Sequence, residues 1–277
     1  MSGSRRREGQ AQQLGIEART QVSPHLQRCC LILSANESYE HAALDLATLT
    51  GMRISKSAQQ RMVHRVSFAE LRVHQTVDEL SADGGKVRLR TPTGEPSEWR
   101  DYKVMTLHDS GLGATFQDNS ALTDWVNRQP LGKPLTCLGD GHPGIWNLVA
   151  LITAQRREIL DWYHLKENLY KIQGSRKRLK CAEEHLWKGR VDAAIAEFTG
   201  CSSFQLDKFK AYLQTHRHRI PNYDYLKAEG VSIGSGAVES SIKQMGRRIK
   251  ISGAQWKREN VPQVLRHRAA YLNGLLS

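Results

Sequence analysis

The chain has 277 residues, with 40 Lys and Arg against 28 Asp and Glu, a formal net charge of +12. The length suits one large domain or a small domain joined to a medium one, and 39% hydrophobic content is low for a compact globule but well above disordered chains. Such a positive surplus draws phosphate backbones; it also fits a ribosomal or membrane-surface protein, so charge alone favours nucleic acid without deciding it.

The five cysteines, Cys29, Cys30, Cys137, Cys181 and Cys201, are odd in number and lack a CxxC spacing. This argues against a disulfide framework and for a reducing cytosol. The opening MSGSRRREGQAQQLG carries charges but no apolar core, so it does not read as a signal peptide. No apolar run approaches the roughly 18 residues a membrane span needs. The chain therefore reads as soluble and cytoplasmic.

Residues 1–22 are polar and Arg-rich and are expected to form a disordered basic tail. Residues 23–70 are expected to form a helix-turn-helix-like DNA-binding region. Within it, residues 36–66 predict two helices around a tight turn, with an apolar face of Ala43, Leu44, Leu46, Ala47 and Leu49. Gly51 should stop the first helix and Ser55 should cap the second. Ala47-x-x-x-Gly51 resembles the helix-turn-helix pattern, a small residue for close packing and then a glycine for the turn. The second helix offers Lys56, Gln59, Gln60, Arg61, His64 and Arg65 to phosphates or base edges. An ordinary helical hairpin explains the same residues.

From residue 77 the texture changes to strands. TVDELSADGGKVRLRT predicts alternation around a Gly-Gly turn, and WRDYKVMTLHD a second strand. NSALTDWVNRQ follows as a helix, PLTCLGDG as a short buried strand ending in a loop, and REILDWYHLKENLYKI as an apolar run entering a helix. Residues 174–230 are helical and basic, and the C-terminal stretch adds two helices. The plan is α/β with a late helical insertion.

Three acids stand where a metal site would place them: Asp83 after the first strand, Asp140 after the later buried strand, and Glu239 at the start of a helix. Strand ends on one sheet edge converge, and a flanking helix can bring a third carboxylate. Hard cations such as Mg²⁺ prefer such oxygen ligands, and two ions roughly 3.5–4 Å apart can activate the attacking oxygen and steady the leaving one. Each acid has another explanation. Asp83-Gly84-Gly85 is a turn signal, Asp140 sits among turn formers, and Glu239 complements a helix dipole.

DGG at 83–85, GDGHPGIW at 139–146, ILDWYHLKENL at 159–169 and IGSGAVESSIKQMGRRIKISGAQW at 233–256 occur in this order. Together they resemble the DDE transposases of bacterial insertion sequences, most closely the Kra-type family. The resemblance runs from about residue 24 to the C-terminus, and the last block is its most specific part. It implies a ribonuclease-H-like catalytic domain over 71–277, with a helical insertion at about 170–230. It also implies catalytic and metal-binding roles for Asp83, Asp140 and Glu239, with two Mg²⁺ or Mn²⁺ ions. The implied activity is metal-dependent DNA cleavage and strand transfer, by a homodimer acting on element ends and target DNA in the bacterial nucleoid. Members usually carry more sequence before the helix-turn-helix-like region, so the chain reads as a truncated copy or one part of a split frame. The rivals are another ribonuclease-H-like nuclease and a non-catalytic DNA-binding protein derived from a transposase.

Asp161-Trp162-Tyr163-His164 resembles the acid-x-x-His element that follows the second acid in related transposases. Positions i and i+3 share a helix face, which would place Asp161 and His164 near the site. Residues 240–258 contain Lys243, Arg247, Arg248, Lys250, Lys257 and Arg258 and no acid. Lys243 and Arg247 share a face with Glu239, suiting them to grip DNA beside the metals. A solvated basic face is the plainer explanation. Trp256 could stack on a base or pack in a core. The basic residues of 174–219 offer a further phosphate track, and Cys181, His185, Cys201 and His216 match no established zinc spacing.

Overall fold

The computed structural model describes residues 22–276; except for Val22, the tail expected at 1–22 lies outside the described residues. The fold is mixed α/β. The chain divides into two compact units, one of Arg72–Lys86 and Arg100–Gln244, the other of the residues up to Leu71 with Val87–Trp99 and the segment from Met245. The helical unit thus takes in a hairpin segment and a C-terminal segment that lie, in sequence, within 71–277.

The first unit carries a five-stranded sheet in the order β3-β2-β1-β4-β5. Its strands are β1 (Val77–Leu89), β2 (Glu98–Leu107), β3 (Gly111–Phe116), β4 (Leu131–Gly139) and β5 (Arg156–Leu160). β2 and β3 pair antiparallel, whereas β4 lies parallel to both β1 and β5. Leu135 to Gly139 are all buried, as expected of a parallel strand covered on both faces. α4 (Asn119–Asn127) packs on β3, where the Trp125 ring occupies the space a side chain at Gly113 would need. α5 (Pro143–Val149) follows β4, and α6 (Trp162–Tyr170) follows β5.

The first predicted strand differs from expectation. DGG is not a hairpin turn: β1 runs straight through it, and neither Gly84 nor Gly85 has a positive φ. The reversal comes later, between β1 and β2, where Gly94 adopts φ +92°. Gly85 is instead a place of close approach, because a Cβ there would lie 2.3 Å from Cζ of the Tyr102 ring.

Between α6 and the final helices the chain is helical throughout: α7 (Arg176–Trp187), α8 (Val191–Ala196), α9 (Phe204–His216) and α10 (Tyr223–Ala228). Trp162, Trp187 and Tyr223 form an aromatic cluster, with ring centroids 4.9 Å apart for the two tryptophans. Tyr223 ties this cluster to the sheet by donating to the Leu160 carbonyl at 2.8 Å. α11 (Gly236–Ile249) and α12 (Val261–Leu272) close the chain.

The helical unit contains α1 (Pro24–Asn36), α2 (Tyr39–Thr50) and α3 (Lys56–Arg65) with α12. Gly51 ends α2 in the left-handed conformation, and the Ser55 side chain caps α3 by accepting from the Ala58 amide. The apolar face of α2 is narrower than expected. Ala42 and Leu46 are buried, whereas Leu44 and Leu49 are exposed. Leu44 falls on the far side of α2 from Leu46 and its cluster with Leu26 and Cys30, whereas Leu49 lies in the last turn of the helix.

α12 is held to α1 by His267, fully buried, whose Nε2 lies 2.9 Å from the Leu31 carbonyl oxygen and whose ring stacks on Phe68. Burial pushes its pKa from 6.5 down to about 4, reinforced by Arg248 and Arg268 against the Leu31 hydrogen bond. The unfolded chain binds a proton below about 6.5 that the folded chain refuses. Stability is therefore full above that pH and is lost as pH falls towards 4, by up to about 3 kcal/mol. Urea unfolding at pH 7.5 and 4.5 should show this loss, and His267→Leu should reduce the difference.

Candidate active site

The strand register brings three acids to one level. Ala82 pairs with Gly139, and Gly139 with Leu160. The next residues along these parallel strands are Asp83, Asp140 and Asp161. Asp83 lies inside β1 rather than after it, because the Gly-Gly segment continues the strand. Glu239 enters from the first turn of α11. Burial raises the Asp83 pKa, helped by the charges of Asp140 and Glu239 and opposed by the Gly84 amide and His164. The Asp140 and Glu239 carboxylates are thus close enough to Asp83 to repel it.

Asp161 and His164 also stand here. Ligand atoms of Asp161, His164 and Glu239 all lie within 4.8 Å of one another, the only such acid or His/Cys group among the described residues. Cys181, His185, Cys201 and His216 form no such group. Asp161 itself is a poor metal ligand, being fully buried with both oxygens occupied. Oδ1 accepts from the His164 amide at 2.8 Å and lies 3.3 Å from His164 Nδ1. Oδ2 accepts from the Ser235 amide and, at 2.6 Å, from the Ser235 hydroxyl. Burial would raise its pKa, but the His164 and Ser235 interactions outweigh it and hold the carboxyl below its usual value. The Asp161 carboxylate in turn raises His164 to about 9 against the effect of burial, with Asp140 and Glu239 assisting. His164 therefore carries a proton at neutral pH, one positive charge among the acids.

The segment before α11 is pinned twice. The Ser232 amide donates to Glu79 Oε1 at 2.9 Å, and its hydroxyl donates to Oε2. His108 backs Glu79, with Nδ1 3.2 Å from Oε2 and Nε2 2.5 Å from the Ser81 hydroxyl. Burial opposes the charge on Glu79, yet His108 and Ser232 bring its pKa down to about 2. Trp162 donates its amide to the Ile233 carbonyl at 2.9 Å, and the Tyr163 ring fills the space beside Gly234. Glu79 and Asp161 thus hold residues 232–235 from opposite ends and set where Glu239 begins its helix. Sequence reasoning missed Glu79, since a lone acid in an alternating strand reads as a solvent-facing residue.

The Asp140 loop is supported from the helical segment. Asp140 Oδ1 accepts from the His142 amide at 2.9 Å. His216 Nε2 lies 3.1 Å from the Gly141 carbonyl oxygen, and Tyr212 covers Gly141 so closely that a Cβ there would lie 2.1 Å from its ring. Tyr212 and His216 had no sequence signal beyond a helix bearing aromatic residues.

The expected DNA-binding residues separate by exposure. Lys243 is 78% exposed, with Nζ 3.9 Å from Glu239 Oε2; Arg247 and Lys250 are also exposed. In the helical unit Gln60 and Arg61 are exposed. Lys56 meets Glu40 at 3.3 Å, and Arg258 meets Glu98 at 2.6 Å. Arg248 is a correction to the expected basic face: it is 2% exposed because its guanidinium packs against Tyr39 and Trp256 and donates from Nε to the Ser34 carbonyl at 2.6 Å. Gln59 is likewise buried and bonded to Ser34. Trp256 is 9% exposed and donates to the Ile249 carbonyl, so its place is in packing.

No protein-family model and no curated protein matches the chain. What stands is the geometry: aspartates at one level of three parallel strands with Glu239 nearby, a protonated imidazole beside them, and an exposed basic helix face leading away from Glu239. Hard oxygen donors in this number can hold divalent cations, and the basic face can hold a phosphate backbone.

Proposed function

We propose that the chain is a DDE transposase of the bacterial insertion-sequence type, cutting and joining DNA strands on a ribonuclease-H-like core. The observation that carries this reading is the common level of Asp83 and Asp140 on adjacent parallel strands, with Glu239 close enough to perturb Asp83. The donor set fits Mg²⁺ or Mn²⁺: the acids offer oxygen ligands, and the repulsion of Asp83 by Asp140 and Glu239 is what divalent ions would relieve. When bound, such ions supply Lewis acidity at the scissile phosphate and a stronger oxygen nucleophile. Asp83, Asp140 and Glu239 would hold the ions, and Asp161 orients His164 and the entry to α11. The protonated His164 donates a hydrogen bond to a phosphate oxygen, while Lys243 and Arg247 grip the neighbouring backbone. Two element ends must be joined together, so a homodimer assembled on DNA in the nucleoid belongs to the proposal.

The test uses the purified chain, a plasmid carrying its gene with flanking DNA, and a supercoiled target. Mg²⁺-dependent strand breaks with new DNA joints are expected, and chelation should abolish both. Breaks without joints would assign a ribonuclease-H-like nuclease instead. Binding without breaks would assign a non-catalytic DNA-binding protein.

A further inference from the structure

The helical unit holds a cavity of about 320 Å³ walled in part by Tyr39, Gln60, Arg90, Arg248, Trp256 and Lys257. Among the described residues no carboxylate lines it. Its most unusual wall residue is Arg248, 2% exposed, with its guanidinium 4.9 Å from the Tyr39 ring centroid and 4.7 Å from that of Trp256. Nε donates to the Ser34 carbonyl, but Nη2 is buried and makes no hydrogen bond. No acid pairs with Arg248 among the described residues. The Tyr39 hydroxyl, two aromatic faces and one carbonyl compensate this buried cation only in part, and leaving one without a counter-charge is costly. Arg90 and Lys257, both exposed, add positive charge to the same wall. Lys257 has only a loose pairing with Glu259 at 3.9 Å.

An anion in the cavity would supply counter-charge beside the buried guanidinium and meet the exposed Arg90 and Lys257 directly. The fork of Arg suits the oxygens of a phosphate, Lys adds a mobile ammonium, and Gln60 offers neutral amide donors. The space exceeds what a bare ion fills and suits a phosphate with its attached sugar.

We propose that this cavity is a phosphate-binding site, with Arg248, Arg90 and Lys257 as its cationic partners. The phosphate comes from a nucleic-acid backbone. That choice of source rests on the transposase reading; the existence of the site does not.

The experiment titrates the full chain with inorganic phosphate, with a deoxynucleoside monophosphate and with a short duplex, each against chloride at matched ionic strength. Phosphate should bind at one site and raise the unfolding temperature. Arg90→Ala with Lys257→Ala, both at exposed positions, should weaken phosphate binding at least tenfold while leaving the unfolding temperature without phosphate unchanged. Arg248→Lys, which keeps the charge and loses the fork, should weaken it as well. In the duplex arm the double variant should lower the salt dependence of binding by about two phosphate contacts, and free phosphate should compete. Unchanged duplex binding with lost phosphate binding would overturn the backbone as source and assign free phosphate or nucleotide. Phosphate binding no tighter than chloride, or untouched by the double variant, would overturn the site. A chain that binds phosphate in this way yet cuts no DNA would sink the transposase reading and keep the site.

Discussion

In the proposed reaction, Asp83→Asn and Asp140→Asn should each reduce Mg²⁺-dependent DNA cleavage on the order of 10³-fold. The magnitude follows from the several kcal/mol of charge stabilisation a metal supplies to phosphoryl transfer, since each 1.36 kcal/mol is about tenfold in rate. Asparagine keeps the shape of the side chain and removes the charge that a hard cation needs. It also removes like-charge repulsion at a half-buried position, so Asp83→Asn should leave the unfolding temperature unchanged or raise it. Loss of activity without loss of fold is the expected signature. Asp161→Asn should behave differently. It replaces an acceptor already used by Ser235 and His164, leaving buried donors poorly matched, and should lower stability together with activity. Mn²⁺ titration separates the possible ligand sets. Binding lost in Asp83→Asn and Asp140→Asn but kept in His164→Ala supports Asp83 and Asp140 as the ligands. The reverse pattern would move the metal to His164 and Glu239 and sink the present assignment.

Much of the element order was legible because each segment's period, caps and breakers agree. Gly51 and Ser55 act at α2 and α3 as their chemistry predicts, and the apolar run of β4 becomes a strand buried on both faces. β3 was not legible: Gly111 and Gly113 weaken any strand signal, and the strand forms because β2 pairs with it and Trp125 fills the space over Gly113. At the candidate site the three acids, with Asp161 and His164, could be named from motifs, but Glu79 and Tyr212 could not. Glu79 meets Ser232, and Tyr212 covers Gly141, across separations that leave no local pattern. Arg248 shows the same limit. Its place in a run of basic residues suggested an exposed track, but α11 turns it inward against Tyr39 and Trp256.

Gly85→Ala should destabilise the protein by about 1–3 kcal/mol, towards the upper end, because it overfills a fully buried position. The added Cβ would lie 2.3 Å from Cζ, 2.4 Å from Oη and 2.7 Å from Cε1 of Tyr102, a side chain that is itself 0% exposed. Neither partner can yield easily, since Gly85 is in the middle of β1 and Tyr102 is paired to Phe116 across β2 and β3. The consequence reaches the site, because Asp83 stands two residues earlier on the same strand and the Tyr102 hydroxyl is electrostatically coupled to it. Cleavage should therefore fall by more than the unfolded fraction explains. A double-mutant cycle identifies the cause. If the glycine is there for close approach, Tyr102→Leu should restore part of the stability lost in Gly85→Ala, with a coupling of about 1 kcal/mol or more. If the glycine were needed for turn conformation, the alanine cost would be the same whatever stands at 102. Additive effects in the cycle would sink the packing explanation for the DGG motif.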